Sequence, residues 1–183
     1  MKKFRRIPII IAALMTVLIL SSCSSWRIVK YFYSYHREAY FAEEFLPDDY
    51  TDFERIKYYH NKKILLFFFT DTMTVRVKYG DSYLSKKAEL DKAYDYLAEP
   101  VESDMLEGHY LIPVTEFEYN GFQMRVADGG DYPHKFGIIG YNDETKEIAY
   151  LWFFDTDFDY IAAPDEDKEQ AMIEFVNDNF KLK

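Results

Sequence analysis

The sequence predicts an α+β domain with an antiparallel sheet of about five to seven strands, built mainly from hairpins, and with N-terminal, middle and C-terminal helices. Three observations indicate this class. Segments with helical periodicity lie near both ends and in the middle of the chain, and the segments between them are alternating or continuously apolar. An Asn-Gly pair marks a tight hairpin. Aromatic residues, which suit half-buried strands better than helices, make up 19% of the 183 residues.

The first helix is predicted from Trp26 to Leu46, where apolar residues recur at alternating steps of four and three positions. Arg27 and Lys30 fall largely on the opposite face, and Pro47 ends the pattern. Two interpretations stay open. We favour a helix packed on the sheet; the alternative is an aromatic and basic surface at the level of lipid headgroups.

The segment after this helix is ambiguous. Residues 53–59 predict a strand that turns at His60 and Asn61, an interpretation we prefer slightly. The alternative is a short helix, because Thr51 and Glu54 have the spacing of a capping box.

Strands and a middle helix are predicted next. Residues 64–69 form a continuous apolar run and residues 72–79 alternate in polarity, so both segments predict strands. Residues 82–99 have apolar residues in helical register and are followed by a proline, which predicts a helix. We expect residues 100–110 to form a loop.

The clearest local signal is Asn120-Gly121. Both residues tolerate positive φ, as the two central positions of a type I′ hairpin turn require. The turn predicts the register of the two flanking strands. In this register, apolar side chains lie on one side of the hairpin and polar side chains on the other. The expected pairs are Tyr119 with Phe122, Glu118 with Gln123, Phe117 with Met124, Glu116 with Arg125, and Thr115 with Val126.

The remaining elements are a hairpin and a helix. Residues 136–141 and 148–154 predict two strands joined by residues 142–146, and the second strand is apolar throughout. Such a strand lies inside a sheet covered on both sides, or lines a pocket. The last helix is predicted to begin at Pro164, with acidic residues in its first turn. Its buried stripe comprises Met172, Ile173, Val176 and Phe180.

Two clusters of side chains are candidate sites. Asp155, Asp157 and Asp159 follow the apolar strand at alternate positions, so in extended backbone their carboxylates project from one side and could hold calcium. Tyr160 stands where known Asp-x-Asp-x-Asp loops have glycine, and no bidentate Glu follows. We therefore favour a solvated strand end without a metal.

The second candidate is the glycine-containing stretch 128–136, which we expect to be a loop. Asp128, Asp131 and His134 supply two carboxylates and an imidazole, the groups needed for a metal or acid-base site. Turn formation explains Asp and Gly equally well. The sequence contains no serine nucleophile motif, no zinc-protease motif and no phosphate-binding glycine loop, and it indicates no cofactor.

Composition restricts the function further. The formal charge is −10. Residues 1–22 contain four of the 22 Lys and Arg and none of the 32 Asp and Glu, so residues 23–183 carry −14. A nucleic-acid partner is unexpected because phosphate binding needs a basic face.

The N-terminus carries a targeting signal. Four basic residues precede an apolar run over residues 9–20, and the segment ends in Leu20-Ser21-Ser22-Cys23, which contains the only cysteine. This pattern resembles that of bacterial lipoprotein precursors, and the resemblance covers about the first 25 residues. It implies a cleaved signal peptide at residues 1–22, a diacylglycerol thioether on Cys23, and a single extracytoplasmic domain at residues 23–183.

The expected location is the outer face of the cell membrane, with attachment through lipid on Cys23. If the cell has an outer membrane, Ser24 rather than Asp implies, by resemblance, transfer to it. The alternatives are an uncleaved anchor and an ordinary secreted protein. The apolar run is shorter than the roughly 20 residues of a membrane span.

Three functions are compatible with the sequence. The first is an anchored binding or interaction module for a protein, a cell-wall fragment or a small ligand, and we favour it because no catalytic motif appears. The second is a metal-assisted hydrolase that uses Asp128, Asp131 and His134, with Asp155 as a further ligand. The third is an acidic immunity or inhibitor protein that covers a basic partner through charge complementarity.

Overall fold

The computed structural model describes residues 45–46, 53–131 and 135–182. The elements in these residues are β1 (Arg55–Leu65), β2 (Phe68–Lys78), α1 (Tyr83–Ala93), β3 (Val101–Glu102), β4 (Tyr110–Ile112), β5 (Glu116–Tyr119), β6 (Phe122–Asp131), β7 (Lys135–Asn142), β8 (Glu147–Asp155) and α2 (Lys168–Asn179). Six strands form an antiparallel sheet in the order β1-β2-β8-β7-β6-β5, and β3 pairs with β4. The predicted α+β class is confirmed.

Strand β8 lies in the middle of the large sheet, between β2 and β7. Its residues 147–153 are all buried, as the sequence predicted for a strand without a polar face. On one face of the sheet, Met172, Val176 and Phe180 of the C-terminal region belong to the same apolar cluster as Leu151 of β8. The predicted buried stripe is therefore confirmed at these three residues, whereas Ile173 is only partly buried against the same cluster.

The opposite face of the sheet carries a tyrosine network. The hydroxyls of Tyr79 and Tyr150 lie 2.9 Å apart, and those of Tyr96 and Tyr141 lie 2.8 Å apart. Burial raises the pKa of Tyr141 and Tyr150. The hydroxyls of Tyr141 and Tyr150 therefore remain protonated at neutral pH and act as hydrogen-bonding groups.

The Asn-Gly hairpin has the predicted register. Asn120 and Gly121 have φ values of 51° and 77°, and the strands pair Tyr119 with Phe122 and Glu116 with Arg125. The expected ion pair on the polar side is present, with 3.0 Å between Arg125 Nε and Glu116 Oε1. Short-range turn chemistry was enough to predict this hairpin because two φ-tolerant residues stand between two alternating strands.

The first hairpin differs from its prediction. A strand does follow residue 53, but β1 continues through His60 and Asn61 and ends at Leu65. The turn consists of Leu66 and Phe67, inside the apolar run that predicted a strand. Pairing of β1 with β2 along eleven residues outweighs the turn preference of His-Asn, so the turn falls where pairing ends.

Both helices are shorter than predicted. Helix α1 ends at Ala93, because the backbone from Tyr94 onward is extended and Leu97 N–H donates to Val126 O at 3.0 Å. Helix α2 begins at Lys168 rather than Pro164. The Asp167 carboxylate caps it by accepting hydrogen bonds from the N–H groups of the second and third helical residues.

Two further predictions concern the segment 100–110 and the N-terminal helix. The predicted loop 100–110 contains the two residues of β3, which pair with β4, and the first residue of β4; residues 103–109 connect these strands. The predicted helix 26–46 lies outside the described residues except for Phe45 and Leu46. Both side chains are buried, at 5% and 4% exposed, and the Phe45 ring lies 5.2 Å from that of Tyr94.

Candidate functional site

The topology brings both acidic candidate clusters to one end of the large sheet. Strand β8 ends there at Asp155, which pairs with Thr70 of β2. The β6–β7 hairpin reaches the same end, because Asp131 pairs with Lys135 and Lys135 pairs with Phe154. The β1–β2 hairpin extends beyond this end of the sheet.

The candidate cluster in residues 128–136 is not the loop that the sequence predicted. Asp128 and Asp131 lie in β6, and the pairing register with β7 shifts between Ala127 and Asp131. This irregularity accommodates Gly129 and Gly130 within the strand, so the loop prediction is wrong for residues 128–131. His134 lies outside the described residues, and a site formed with it stays a prediction.

The candidate cluster of Asp155, Asp157 and Asp159 does not have the extended backbone that its spacing assumed. Strand β8 ends at Asp155, and the chain bends at Thr156 and Asp157. The Asp155 carboxylate accepts the Asp157 N–H at 2.9 Å and the hydroxyl of Thr70. A hydrogen bond with Asp155, together with the nearby charges of Asp155 and Asp159, raises the pKa of Asp157.

We expect Asp157→Asn to leave the free energy of unfolding unchanged or slightly higher at neutral pH, because it removes repulsion among three carboxylates. Since the folded pKa of Asp157 is raised, the parent loses stability relative to this variant as pH rises through the titration of Asp157. Thermal melts of both proteins, with and without calcium, measure these effects. A calcium-dependent rise in melting temperature that Asp157→Asn abolishes would contradict this expectation and indicate a metal site.

The β1–β2 hairpin turn is the most exposed apolar feature of the described structure. Leu66 and Phe67 are 84% and 91% exposed, Ile64 is 70% exposed and Phe68 is 47% exposed. We call residues 64–68 the hairpin tip. Scattered exposed apolar residues are ordinary, but adjacent ones of this size on a projecting turn indicate a contact surface.

The backbone at the hairpin tip is also unusual. Leu66 has a φ of 57°, in a region that glycine and asparagine favour and leucine rarely adopts. A two-residue hairpin turn is most stable with Asn or Gly at such a position, as Asn120-Gly121 shows in this same sheet. The chain therefore places large apolar residues at a turn where they help neither the backbone nor solubility. Such a departure from local preference is typical of functional positions.

Specific contacts hold the base of this hairpin. His60 Nε2 lies 2.6 Å from Asp71 Oδ1, and Lys62 Nζ lies 3.7 Å from the other oxygen of the same carboxylate, which is 2% exposed. The rings of Phe69 and Phe154 stack at 5.2 Å. The hairpin tip is therefore carried on a strand pair fixed to the sheet.

Sequence reasoning missed both the hairpin tip and the His60–Asp71 pair. Continuous apolar character in residues 64–69 predicts a buried strand. Periodicity alone does not show whether the strands of this hairpin are buried. One signal was available, since two lysines precede the run and a buried central strand rarely begins in this way.

A groove of about 400 Å³ runs along α2. Its lining includes Tyr160, Phe175 and four carboxylates, from Glu166, Asp167, Glu174 and Asp178. Three of these carboxylates accept hydrogen bonds within the chain, from Ala163 N, from the first turn of α2 and from the Gln170 amide. Their position is explained by helix capping and local pairing.

In residues 53–127 and 135–182, no three His, Cys, Asp or Glu side chains are grouped so that they could hold a metal ion. No helix in the described part of the chain is long and apolar enough to span a membrane.

Comparisons with protein families, with curated proteins and with solved structures found no match to this chain.

Proposed function

We propose that residues 23–183 form a lipid-anchored extracytoplasmic module that works by binding another component of the cell envelope, and that the hairpin tip makes the contact. The observation that carries this proposal is the exposure of Leu66 and Phe67 on a turn where Leu66 has the positive φ that leucine rarely adopts. Binding offsets the cost of such a turn, because contact with a partner removes apolar surface from water.

The N-terminal pattern supports the anchored location. Leu20-Ser21-Ser22-Cys23 resembles the processing site of bacterial lipoproteins, and lipid on Cys23 would hold the module at the membrane surface. An envelope component is then at high local concentration, so even a weak contact through the hairpin tip would be occupied.

The hydrolase alternative receives less support. It requires Asp128, Asp131 and His134 in one flexible loop, whereas the first two lie in the hydrogen-bonded strand β6. The acidic inhibitor alternative is favoured by the charge of residues 23–183 and by the carboxylates along the α2 groove. Because three of those carboxylates already have partners within the chain, we place this function second.

Site-directed photo-crosslinking in cells tests the proposal. A photoreactive residue in place of Phe67 is expected to crosslink the full-length protein to an envelope component. The matched control is the same residue in place of Leu84, which is 73% exposed and lies on α1, beyond the other end of β2. Equal crosslinking from the two positions would contradict the proposal.

A further inference from the structure

We infer that the partner of the hairpin tip is the phospholipid bilayer itself, so that the chain meets the membrane at two points, the lipid on Cys23 and residues 64–68. This inference rests on the function proposed above and names the component that the hairpin tip contacts.

The first argument is the distance by which the hairpin tip projects. The last pair between β2 and β8 is Thr70 with Asp155, and the turn is centred between Leu66 and Phe67. At about 3.3 Å per residue, the turn lies on the order of 10 Å beyond the end of β8. This is the depth of about 5–10 Å to which amphipathic segments enter the boundary between headgroups and acyl chains.

The second argument is the order of side chains along the hairpin. The apolar tip residues come first, and Lys62 and Lys63 follow immediately behind them on β1, both at exposed positions. Lys62 Nζ lies 4.6 Å from the centre of the Phe69 ring and 3.7 Å from Asp71 Oδ2, so the Lys62 side chain packs along the hairpin, whereas Lys63, the next residue along the strand, is exposed. Apolar residues at acyl depth with lysines at headgroup depth match the layers of a bilayer.

The third argument is charge. The chain as a whole carries −10, yet the charged side chains next to the apolar tip along the hairpin are Lys62 and Lys63, and the first carboxylate along the hairpin, Asp71, pairs with Lys62. Asp155, at the end of β8, lies behind the tip by about one Debye length at physiological salt. The exposed Lys63 therefore attracts anionic headgroups, and Asp155 opposes approach beyond the depth of the tip.

The experiment places a fluorescent reporter at the tip. The mature lipidated protein carrying Phe67→Trp is reconstituted into vesicles of equal parts phosphatidylglycerol and phosphatidylcholine, with ordinary or brominated acyl chains. Leu84→Trp is the matched control, and the parent protein gives the background from Trp26 and Trp152. We expect emission from position 67 to shift to shorter wavelength and to lose intensity in brominated vesicles, with neither change at position 84.

Flotation of the same vesicles separates the two proposals. Protein that floats without quenching at position 67 overturns the bilayer inference and leaves anchoring intact. Tip crosslinks to a protein in cells, without quenching in vesicles, overturn the bilayer inference in favour of a protein partner. Failure of the mature protein to float overturns both proposals.

A second variant tests whether vesicle binding depends on the apolar surface of the hairpin tip. Leu66→Gln combined with Phe67→Gln removes the apolar tip without a change of charge, and Leu84→Gln is its control. In the Cys23→Ala background with the signal peptide removed, the tip variant should bind fewer vesicles than its control, and equal binding overturns the inference. Melting temperatures measured in solution show whether both variants fold.

Discussion

Replacing Cys23 with alanine is expected to abolish lipid labelling of this protein completely and to leave an unprocessed precursor. The sulfur of Cys23 is the predicted acceptor of diacylglycerol, and in lipoproteins of this kind the lipidated cysteine is the substrate for cleavage. Since Cys23 is the only cysteine in the chain, no other thiol can replace it. Incorporation of labelled fatty acid and the mass of the purified protein measure both effects.

Ser25→Ala is the matched control for this substitution, because it changes a small residue two positions away and should leave labelling and cleavage unchanged. Persistence of the label in Cys23→Ala would mean that lipid is attached elsewhere and would overturn Cys23 as its acceptor. A parent protein that carries no label and is still cleaved would instead indicate ordinary secretion, in which the domain reaches the same compartment without a lipid.

Replacing Glu147 with glutamine is expected to lower the free energy of unfolding by about 3 kcal/mol. Glu147 is 2% exposed at the start of β8, and its carboxylate accepts hydrogen bonds from Arg76 and from Arg55, with 3.0 Å between Arg76 Nε and Glu147 Oε2. Thr145 Oγ1 donates a further hydrogen bond at 3.0 Å. Neutralising this carboxylate leaves the Arg76 guanidinium, which is 19% exposed, largely buried without its counter-charge.

The matched control is Glu116→Gln, which removes the partner of Arg125 at a site where the carboxylate is 67% exposed. Exposed ion pairs contribute about 0–1 kcal/mol, so this variant should remain close to the parent. Chemical denaturation of the three proteins at neutral pH measures the difference. Equal stability of the two variants would mean that the buried ion pair contributes no more than an exposed one.

The contribution of Glu147 to the free energy of unfolding depends on pH in a predictable direction. Burial raises the pKa of Glu147, but the hydrogen bonds from Arg76, Arg55 and Thr145 outweigh burial and lower the pKa below its ordinary value of 4.5. A lowered folded pKa means that the stabilisation is fully present above pH 4.5 and is lost as the pH falls through the folded pKa. The stability difference between parent and Glu147→Gln should therefore narrow in acid.

The hairpin at Asn120-Gly121 and the stripe of α2 could be predicted from the sequence because each depends on neighbours in the chain. Two residues that tolerate positive φ determine a turn and its register, and apolar spacing determines which face of a helix is buried. The fully apolar strand 148–154 likewise indicated a central position in a covered sheet. The N-terminal pattern predicts its destination in the same local way, without reference to the fold.

Tertiary structure decided the features that depend on distant partners. The end of α1 at Ala93 follows from pairing of residues 96–97 with β6, which no local propensity indicates. The bond of His60 to Asp71 requires the full register of β1 on β2.

The hairpin tip is the clearest example of a feature that the local sequence did not predict. The apolar run 64–69 favours burial by composition, yet Leu66 and Phe67 are exposed because β8 ends at Asp155 and the hydrogen bonds of the following residue, Thr156, reach only as far as Phe69. Sequence alone thus determined the fold class and the Asn120-Gly121 turn, and it predicts a targeting signal, since these depend on adjacent residues. Which apolar residues stay exposed was decided only by the lengths at which distant strands stop pairing.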